Sequence, residues 1–187
     1  MTNTLTLPDY LRADLNLVFI GLNPGLYSAQ QQQYYARKTN RFWRALSTAN
    51  LFGGEVGPGD EAQLFARGIG FTDVVKRATG QIDELTPQEI QSGARQLRRK
   101  LLHYVPRAAC FVGLTAFRWV FELPAKTRIQ PGPQAEQIGA TRIYVLPSTS
   151  AANAHYALAQ IVAEICRMQK WLQTHDLAFG KSPFKSI

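Results

Sequence analysis

The chain has 187 residues, 45% of them hydrophobic, and a formal net charge of +8. This length suits one globular domain, and we expect residues 1–187 to form it. The longest apolar run, Leu15 to Leu22, is far shorter than the ~20 residues that span a bilayer. The start of the chain lacks the pattern of a secretory signal, so we expect an intracellular protein, in the cytoplasm or nucleoid if the source is bacterial.

Short apolar runs alternate with helical patterns along the chain. Thr86, Pro87 and Glu89 form a capping-box pattern that predicts the start of a helix. The predicted elements, in chain order, are a lead-in over 1–14, a strand over 17–20, a polar loop, a helix from Asn40 to about 53, a Gly/Pro-rich loop over 53–60, an apolar segment within 68–75, a helix from 86 to about 106, a strand over 108–113, a helix over 115–121, a loop over 124–139, a strand over 141–146, a helix over 154–173 and a tail from 178 that frays.

Buried strands that alternate with helices predict an α/β fold, a three-layer α/β/α sandwich around a short, mostly parallel central sheet. Such sheets bind ligands beyond the carboxyl ends of their strands, so the segments that follow the strands are the candidate site. Asn23 follows the first strand, where its amide can accept from a water and donate to a ligand carbonyl; an Asn-Pro turn is the structural alternative. Asp73 follows the second apolar segment and is a candidate general base; an ion pair with Lys76 or Arg77, or the capping of a turn, is the alternative.

A Ser/Thr-rich loop follows the last strand, over 147–155. Hydroxyls and free backbone N–H groups at a helix start bind phosphate well. The alternative is plain N-capping of the helix by Ser150 or Asn153. The basic residues lie in separate clusters, at 37–44, 76–77 and 95–100, which suits several loops in contact with one phosphate backbone.

Taken together, these segments resemble the mismatch-specific uracil/thymine DNA glycosylases of the uracil-DNA glycosylase superfamily. The resemblance runs from about Leu15 to His155. It rests on Gly-Leu-Asn-Pro-Gly-Leu at 21–26, Asn-Arg-Phe-Trp at 40–43, Thr-Asp-Val-Val-Lys-Arg at 72–77 and Pro-Ser-Thr-Ser at 147–150. It implies a uracil-DNA glycosylase-like fold and strand order. It also implies that the partner is double-stranded DNA that carries uracil or a mismatched or damaged pyrimidine. The implied activity is to flip this base out of the DNA and to hydrolyse its N-glycosidic bond.

The resemblance further implies roles by position. Asn23 matches the residue that positions the attacking water, and Tyr35 matches the aromatic residue that stacks on the flipped base. The implied base-binding residues are Leu22, through its backbone, Ser28, Tyr34 and Tyr35. The implied DNA-contacting or wedge residues are Ser148, Thr149, Ser150, Ala151, Ala152, Asn153, Asn40 and Lys76.

Two positions depart from the family pattern. Ala152 stands where a relative carries an arginine wedge, and alanine cannot fill the gap that a flipped base leaves, so Asn153 or another residue must fill it. Asp73 stands where relatives carry Lys or Asn. A neutral amide such as Asn23 cannot take a proton from water at pH 7, whereas a carboxylate can, so we hypothesise that Asp73 assists Asn23 or partly replaces it.

Two other functions stay open from the sequence. One is a catalytically weak, damage-binding protein of the same fold, which the substitutions at Ala152 and Asp73 favour. The other is a small-molecule enzyme such as a nucleotide hydrolase, although neither GxGxxG nor GxxxxGK[ST] occurs. The glycosylase chemistry needs no metal or redox cofactor, and the three histidines lie in separate segments without metal-ligand spacing. Both cysteines are expected to be buried free thiols, and a monomer is the default expectation.

Overall fold

The structure is a computed structural model, and it describes residues 5–177. The expected fraying of 178–187, and the first four residues of the predicted lead-in, lie outside this range. The elements, in chain order, are β1 (Leu17–Gly21), α1 (Leu26–Gln31), α2 (Phe42–Thr48), α3 (Glu61–Ala66), β2 (Ile69–Asp73), a 3₁₀ turn (Ile82–Glu84), α4 (Pro87–Tyr104), β3 (Ala108–Val112), α5 (Leu114–Val120), β4 (Gly132–Ile138), β5 (Thr141–Leu146) and α6 (Leu158–Thr174).

Within residues 5–177 the strands form one sheet in the order β2-β1-β3-β5-β4. Strands β1, β2, β3 and β5 run parallel, and β4 pairs with β5 antiparallel at the edge. The next strand in the chain after β1 is β2, which lies on one side of β1, whereas β3 lies on the other side. The strand order therefore reverses direction between β1 and β3. Sheets of this kind bind ligands at that reversal, outside the carboxyl ends of the strands.

The sheet is covered on both faces, which confirms the three-layer α/β/α prediction. Successive side chains of a strand point to opposite faces. In β1, Leu17 and Phe19 pack into the cluster that includes α2 and α6, and Val18 and Ile20 pack into the cluster that includes α4 and α5. All five residues of β1 are buried, and so are those of β2 and β3. Burial on both faces explains the continuous apolar sequences of β1 and β3, whereas β2 ends in the polar residues Thr72 and Asp73.

Helix α4 begins where its sequence predicts. The Thr86 hydroxyl accepts from the Glu89 N–H at 3.2 Å, and the Glu89 carboxylate accepts from the Thr86 N–H at 2.9 Å. This reciprocal cap satisfies two N–H groups that would otherwise lack a partner, and a cap of this kind typically adds about 1 kcal/mol to helix stability. The helix buries Ile90, Leu97 and Leu101 against the sheet.

Four parts of the predicted element order are wrong. The expected loop over 124–139 contains β4, and the expected polar loop after β1 contains α1. Helix α3 follows the Gly/Pro-rich loop and is absent from the prediction, and α6 begins at Leu158 rather than at 154. Helices α1 and α3 have six residues each and no side-chain cap, and β4 buries only its two end residues, so none of them carries an apolar period.

The predicted lead-in is part of the folded structure over its described residues. The backbone of Tyr10 pairs with that of Phe71 in an antiparallel bridge, with N–H to O distances of 2.9 and 3.2 Å. Leu7 is buried, and the Leu5 carbonyl accepts from the Ala78 N–H at 3.0 Å. This N-terminal segment therefore covers the outer edge of β2 and reaches the loop that follows it.

Candidate active site

An open cavity of about 480 Å³ lies at the carboxyl end of the sheet, where the strand order reverses. Its wall is built from the segments that follow β1, β2, β3 and β5, together with the loop between α1 and α2. Most of the predicted site residues line it: Leu22, Asn23, Ser28, Tyr34, Tyr35, Asn40, Asp73, Ser148, Thr149, Ser150, Ala151 and Ala152. The predicted residues Lys76 and Asn153 are not part of the lining.

The Asn23 side chain is held in the cavity wall by its amide nitrogen. Its Nδ2 donates to the Thr79 hydroxyl at 2.8 Å and to the carbonyls of Pro24 and Arg77 at 3.1 and 3.2 Å. Because carbonyl oxygens surround this end of the side chain, the end must be the nitrogen. No group within residues 5–177 donates to Oδ1, so this oxygen is left for a bound water or ligand.

Asp73 ends β2 directly beside the last residue of β1. Gly21 and Asp73 are partners in the parallel ladder, and only 4% of Asp73 is exposed. Its Oδ2 is buried and has no hydrogen-bond partner in the described part of the chain. Neither neighbouring base pairs with it: Lys76 binds Asp9 at 2.7 Å, and Arg77 binds Glu89 at 2.7 Å. The carboxyl group of Asp73 is therefore held in the cavity wall without a counterion in contact.

Burial raises the pKa of Asp73 to about 7. Charges behind it modulate this effect: Lys76 and Lys100 lower the pKa, and Asp9 raises it. Asp9 itself binds both lysines, with Lys100 at 2.5 Å, and accepts from the Thr72 hydroxyl at 2.7 Å. A carboxyl with a pKa near 7 exists in both protonation states at neutral pH, which suits a group that takes up a proton.

The two adjacent tyrosines have different surroundings. The Tyr34 ring is buried, and its hydroxyl donates to the Pro8 carbonyl at 2.9 Å. The Tyr35 ring stacks on Phe42, with ring centroids 4.0 Å apart, and its backbone lies in the left-handed region with φ at 52°. The Tyr35 hydroxyl is buried without a partner among the described residues. Burial raises its pKa well above the usual value, and the Asp73 charge raises it further, so the phenol is neutral.

Leu22 and Ser28 shape the wall beside these groups. The Leu22 carbonyl accepts from the Val75 N–H at 2.8 Å, and the Leu22 N–H has no acceptor within residues 5–177. The Ser28 hydroxyl accepts from the Ala36 N–H at 3.1 Å, which fixes the turn after Tyr35. The free N–H of Leu22 is suited to a ligand carbonyl.

The loop between β5 and α6, residues 147–157, forms the opposite side of the cavity mouth. Thr149 is buried, whereas Ser150, Ala151 and Ala152 are exposed. Neither alternative N-cap caps α6, because that helix starts beyond the loop, at Leu158. Asn153 instead donates to the Ser148 carbonyl at 2.8 Å, so its side chain is engaged within the loop.

Of the predicted DNA-contacting residues Asn40 and Lys76, only Asn40 lies in the cavity wall. Asn40 lines the cavity, and its Oδ1 accepts from the Phe42 N–H at 2.9 Å, at the start of α2. Lys76 lies behind the cavity wall, where it binds Asp9. The exposed cation that does line the cavity is Arg37, from the first basic cluster of the sequence.

Two site residues are missing from the sequence prediction. Thr79 holds the Asn23 amide and is buried beside it. Arg41 binds four carbonyls of the β5–α6 loop, including that of Ser150 at 2.6 Å. Arg41 lies inside the Asn-Arg-Phe-Trp segment, and Thr79 lies two residues beyond the segment at 72–77, so both are close to recognised positions. Only the fold shows that their partners come from distant parts of the chain.

Two further features of the described residues concern possible ligands and membranes. No three His, Cys, Asp or Glu side chains within residues 5–177 come together as metal ligands would. Among the helices in this range, none is both long and apolar enough to cross a membrane.

Comparison with known proteins agrees with this architecture. The solution NMR structure of a protein from Methanosarcina acetivorans, described as a candidate uracil DNA glycosylase, superposes with a TM-score of 0.56. The two proteins are 24% identical, and the match covers 89% of this chain and 98% of the other, which supports the fold. The family model of the Uracil DNA glycosylase superfamily matches residues 8–172. The chain belongs to the uracil DNA glycosylase superfamily.

Proposed function

We propose that this protein is a DNA glycosylase of the mismatch-specific uracil/thymine type, which flips uracil, or another mismatched or damaged pyrimidine, out of duplex DNA and hydrolyses its N-glycosidic bond. The observation that carries the proposal is the meeting of Asn23 and Asp73 in one cavity at the carboxyl end of the sheet. Membership of the superfamily supports a uracil-DNA glycosylase-type hydrolase. The four sequence segments shared with the mismatch-specific family support the finer assignment.

Asn23 is suited to position the attacking water. Its Nδ2 is occupied by three protein acceptors, so the side chain cannot rotate freely and Oδ1 keeps one direction. An acceptor fixed in this way orients a water and reduces the entropy lost on reaching the transition state. The Thr79 hydroxyl is the closest of the three acceptors, at 2.8 Å.

Asp73 is suited to take the proton of that water. In the proposed step the water oxygen forms a bond to C1′ and the bond between C1′ and the base nitrogen breaks. The electron pair of the broken bond leaves with the base, and the water proton moves to the Asp73 carboxylate. A base with a pKa near the working pH is effective in such a step, and the pKa of Asp73 is about 7. Its negative charge also stabilises the positive charge that develops on the sugar.

The flipped base would lie between these groups and the remaining cavity wall. The unpaired N–H of Leu22 is free to donate to a ligand carbonyl, which would stabilise the negative charge on the departing base. Tyr35 stacks on Phe42 and lines the cavity, the arrangement needed for a base to stack on its other face. Arg37 at the mouth and the net charge of +8 favour the phosphate backbone.

The test is a single-turnover cleavage assay with excess protein. Labelled duplexes with one G·U, A·U or G·T pair, and single-stranded uracil DNA, are incubated and the abasic sites are then cleaved with alkali. We expect strand breaks at the uracil position, a higher rate for mismatched than for paired uracil, and loss of activity in Asn23→Ala. Gln63→Ala, which removes an exposed amide outside the cavity, is the matched control and should keep the wild-type rate.

The remaining outcomes are also informative. Strand breaks with equal rates on A·U and G·U pairs would support the glycosylase and exclude the mismatch-specific subtype. Tight, salt-sensitive binding without strand breaks would identify a damage-binding protein instead. Neither binding nor cleavage would overturn the proposed function and leave only the fold.

A further inference from the structure

The side chain of Arg41 donates to backbone carbonyls of the β5–α6 loop. Its Nη2 donates to the carbonyls of Ser150 and Asn153 at 2.6 and 3.0 Å, its Nε donates to that of Thr149 at 3.3 Å, and its Nη1 donates to that of Tyr156. Its backbone N–H also donates to the Thr149 carbonyl, at 3.0 Å. No carboxylate within residues 5–177 pairs with Arg41. The guanidinium is therefore committed to one loop through neutral acceptors.

These contacts determine which way the peptide groups of the loop face. In a trans peptide the carbonyl and the following N–H point in opposite directions, and no cis peptide occurs among the described residues. The Ser150 carbonyl points at Arg41, so the N–H of Ala151 points away from Arg41. Ala151 itself lines the cavity. This N–H has no acceptor in the described part of the chain.

Hydroxyl groups flank the free N–H. The Ser148 hydroxyl accepts from the Ser150 N–H at 3.4 Å, and the Ser150 hydroxyl accepts from the Ala152 N–H at 3.3 Å, so each hydroxyl hydrogen remains available for donation. Backbone N–H and hydroxyl donors that lie close together can jointly bind an anion such as a phosphate. Arg41 strengthens it from behind, because a cation on a carbonyl polarises the same peptide and makes its N–H a better donor.

We propose that Arg41 is a positioning residue that orients the β5–α6 loop so that the Ala151 N–H binds a DNA phosphate next to the flipped nucleotide. This inference rests on the proposed function, since it presumes that DNA occupies the cavity mouth. Arg41 touches no phosphate in this arrangement. It acts through the peptide between Ser150 and Ala151.

The test combines Arg41→Gln with neutral phosphates in the DNA. The probe is a duplex that carries 2′-fluoro-2′-deoxyuridine, which resists cleavage, with a single methylphosphonate placed in turn at each phosphate flanking the uridine. We expect wild-type protein to lose affinity about tenfold or more at one such position. The Arg41→Gln variant should lose a similar factor on unmodified DNA and little more on that methylphosphonate duplex, because both changes remove the same contact.

Salt dependence separates this role from direct charge contact. The control Arg37→Gln removes an exposed cation at the cavity mouth and should lower the slope of log K against log [salt] by about 0.9. Arg41→Gln should leave the slope unchanged while affinity falls. Arg41→Lys keeps a cation with three donors and should recover part of the affinity. If the Gln variant fails to fold, Arg41→Lys replaces it in the methylphosphonate and salt series.

If the affinity losses caused by Arg41→Gln and by the methylphosphonate add when the two changes are combined, the proposal is wrong. A reduced salt slope for Arg41→Gln would also overturn it. If wild-type protein binds none of these duplexes, the proposed function itself fails. If wild-type protein binds and cleaves uracil DNA but the losses add, only the role of Arg41 is wrong.

Discussion

Gly21 and Asp73 lie side by side at the ends of β1 and β2, so close that a Cβ on Gly21 would lie 2.3 Å from Oδ1 of Asp73. The same Cβ would lie 3.3 Å from the Tyr35 hydroxyl. Glycine at this position therefore leaves the space that the carboxyl group occupies. Two buried oxygens of the site, on Asp73 and Tyr35, lack a hydrogen-bond partner among residues 5–177, and both belong to side chains next to this glycine.

We expect Gly21→Ala to displace the Asp73 carboxyl group and to lower the single-turnover rate at least tenfold, with the fold retained. Gly57→Ala is the matched control, because Gly57 lies outside the cavity, a Cβ there meets no described atom within 4 Å, and its backbone is not in the left-handed region. Cleavage rates and thermal unfolding of both variants test this. A Gly21→Ala enzyme with the wild-type rate would show that the position of Asp73 is unimportant for the reaction.

The rate of the wild-type enzyme should depend on the ionisation of Asp73. The pKa of Asp73 is about 7, and the proposed mechanism uses its carboxylate, so the single-turnover rate should rise with pH through about 7 and level off above it. Asp73→Asn should lose about 10²-fold or more of the rate on the plateau, along with this pH dependence. Rates measured from pH 5.5 to 9 test the prediction, and a variant within about twofold of wild type would remove Asp73 from the chemistry.

The same residue makes stability depend on pH, with a definite sign. The pKa of Asp73 is 3.8 before folding perturbs it and about 7 in the folded protein, so between these values the folded state binds more protons. The free energy of unfolding therefore falls as pH rises through this window, by at most about 4 kcal/mol from this group. Asp73→Asn should be more stable than wild type, and by more at pH 8 than at pH 5.

Urea unfolding of both proteins at the two pH values measures this difference. Asp83→Asn, which removes an exposed acid in the 3₁₀ turn, is the control and should show no such increase. An Asp73→Asn advantage that does not grow between pH 5 and pH 8 would argue that Asp73 is ionised throughout.

Charges behind the cavity wall should tune the reaction in opposite directions. Lys76 lowers the pKa of Asp73, so Lys76→Gln should move the midpoint of the rate–pH curve to higher pH. Asp9 raises that pKa, so Asp9→Asn should move the midpoint to lower pH. The two curves, measured at one ionic strength, test the electrostatic coupling. Shifts of the same sign in both variants would contradict it.

Thr79 should act on the rate through Asn23. Thr79→Val keeps the shape of a buried residue but removes the acceptor at 2.8 Å from the Asn23 Nδ2. We expect kcat to fall about tenfold, which corresponds to about 1.4 kcal/mol in the barrier, with little change in KM for the DNA. Thr79→Ser keeps the hydroxyl and should stay near the wild-type rate. A change confined to KM would mean that Thr79 contributes to binding instead.

The sequence predicts the centre of the fold better than its periphery. Strands β1, β3 and β5 are largely apolar runs because both of their faces are buried, and α4 carries a reciprocal cap at its start. Strand β4 begins with Gly132-Pro133 and exposes much of its middle, so its sequence is typical of a loop. Its strand conformation depends on pairing with β5, which no local pattern reveals.

The candidate site divides in the same way. Ligands bind beyond the carboxyl ends of parallel strands, and this rule is sufficient to bring Asn23 and Asp73 to one region from their positions in the sequence. The partner of Lys76 is not predictable, because Asp9 lies 67 positions earlier in the chain and is brought near by the edge pairing of Tyr10 with Phe71. The contacts of Arg41 with the loop after β5 span more than 100 positions and are hidden for the same reason.

The edge pairings also bear on how copies of this protein behave when crowded together. Exposed sheet edges tend to recruit further strands and so promote aggregation. Here the outer side of β2 is paired with Tyr10, and the outer strand β4 contains Pro133, which has no N–H, and an irregular register between Pro133 and Gln137. Within residues 5–177, neither edge presents an uninterrupted row of backbone donors and acceptors. The native fold therefore resists edge-to-edge polymerisation, and an N-terminal truncation that removed Tyr10 would expose β2 to it.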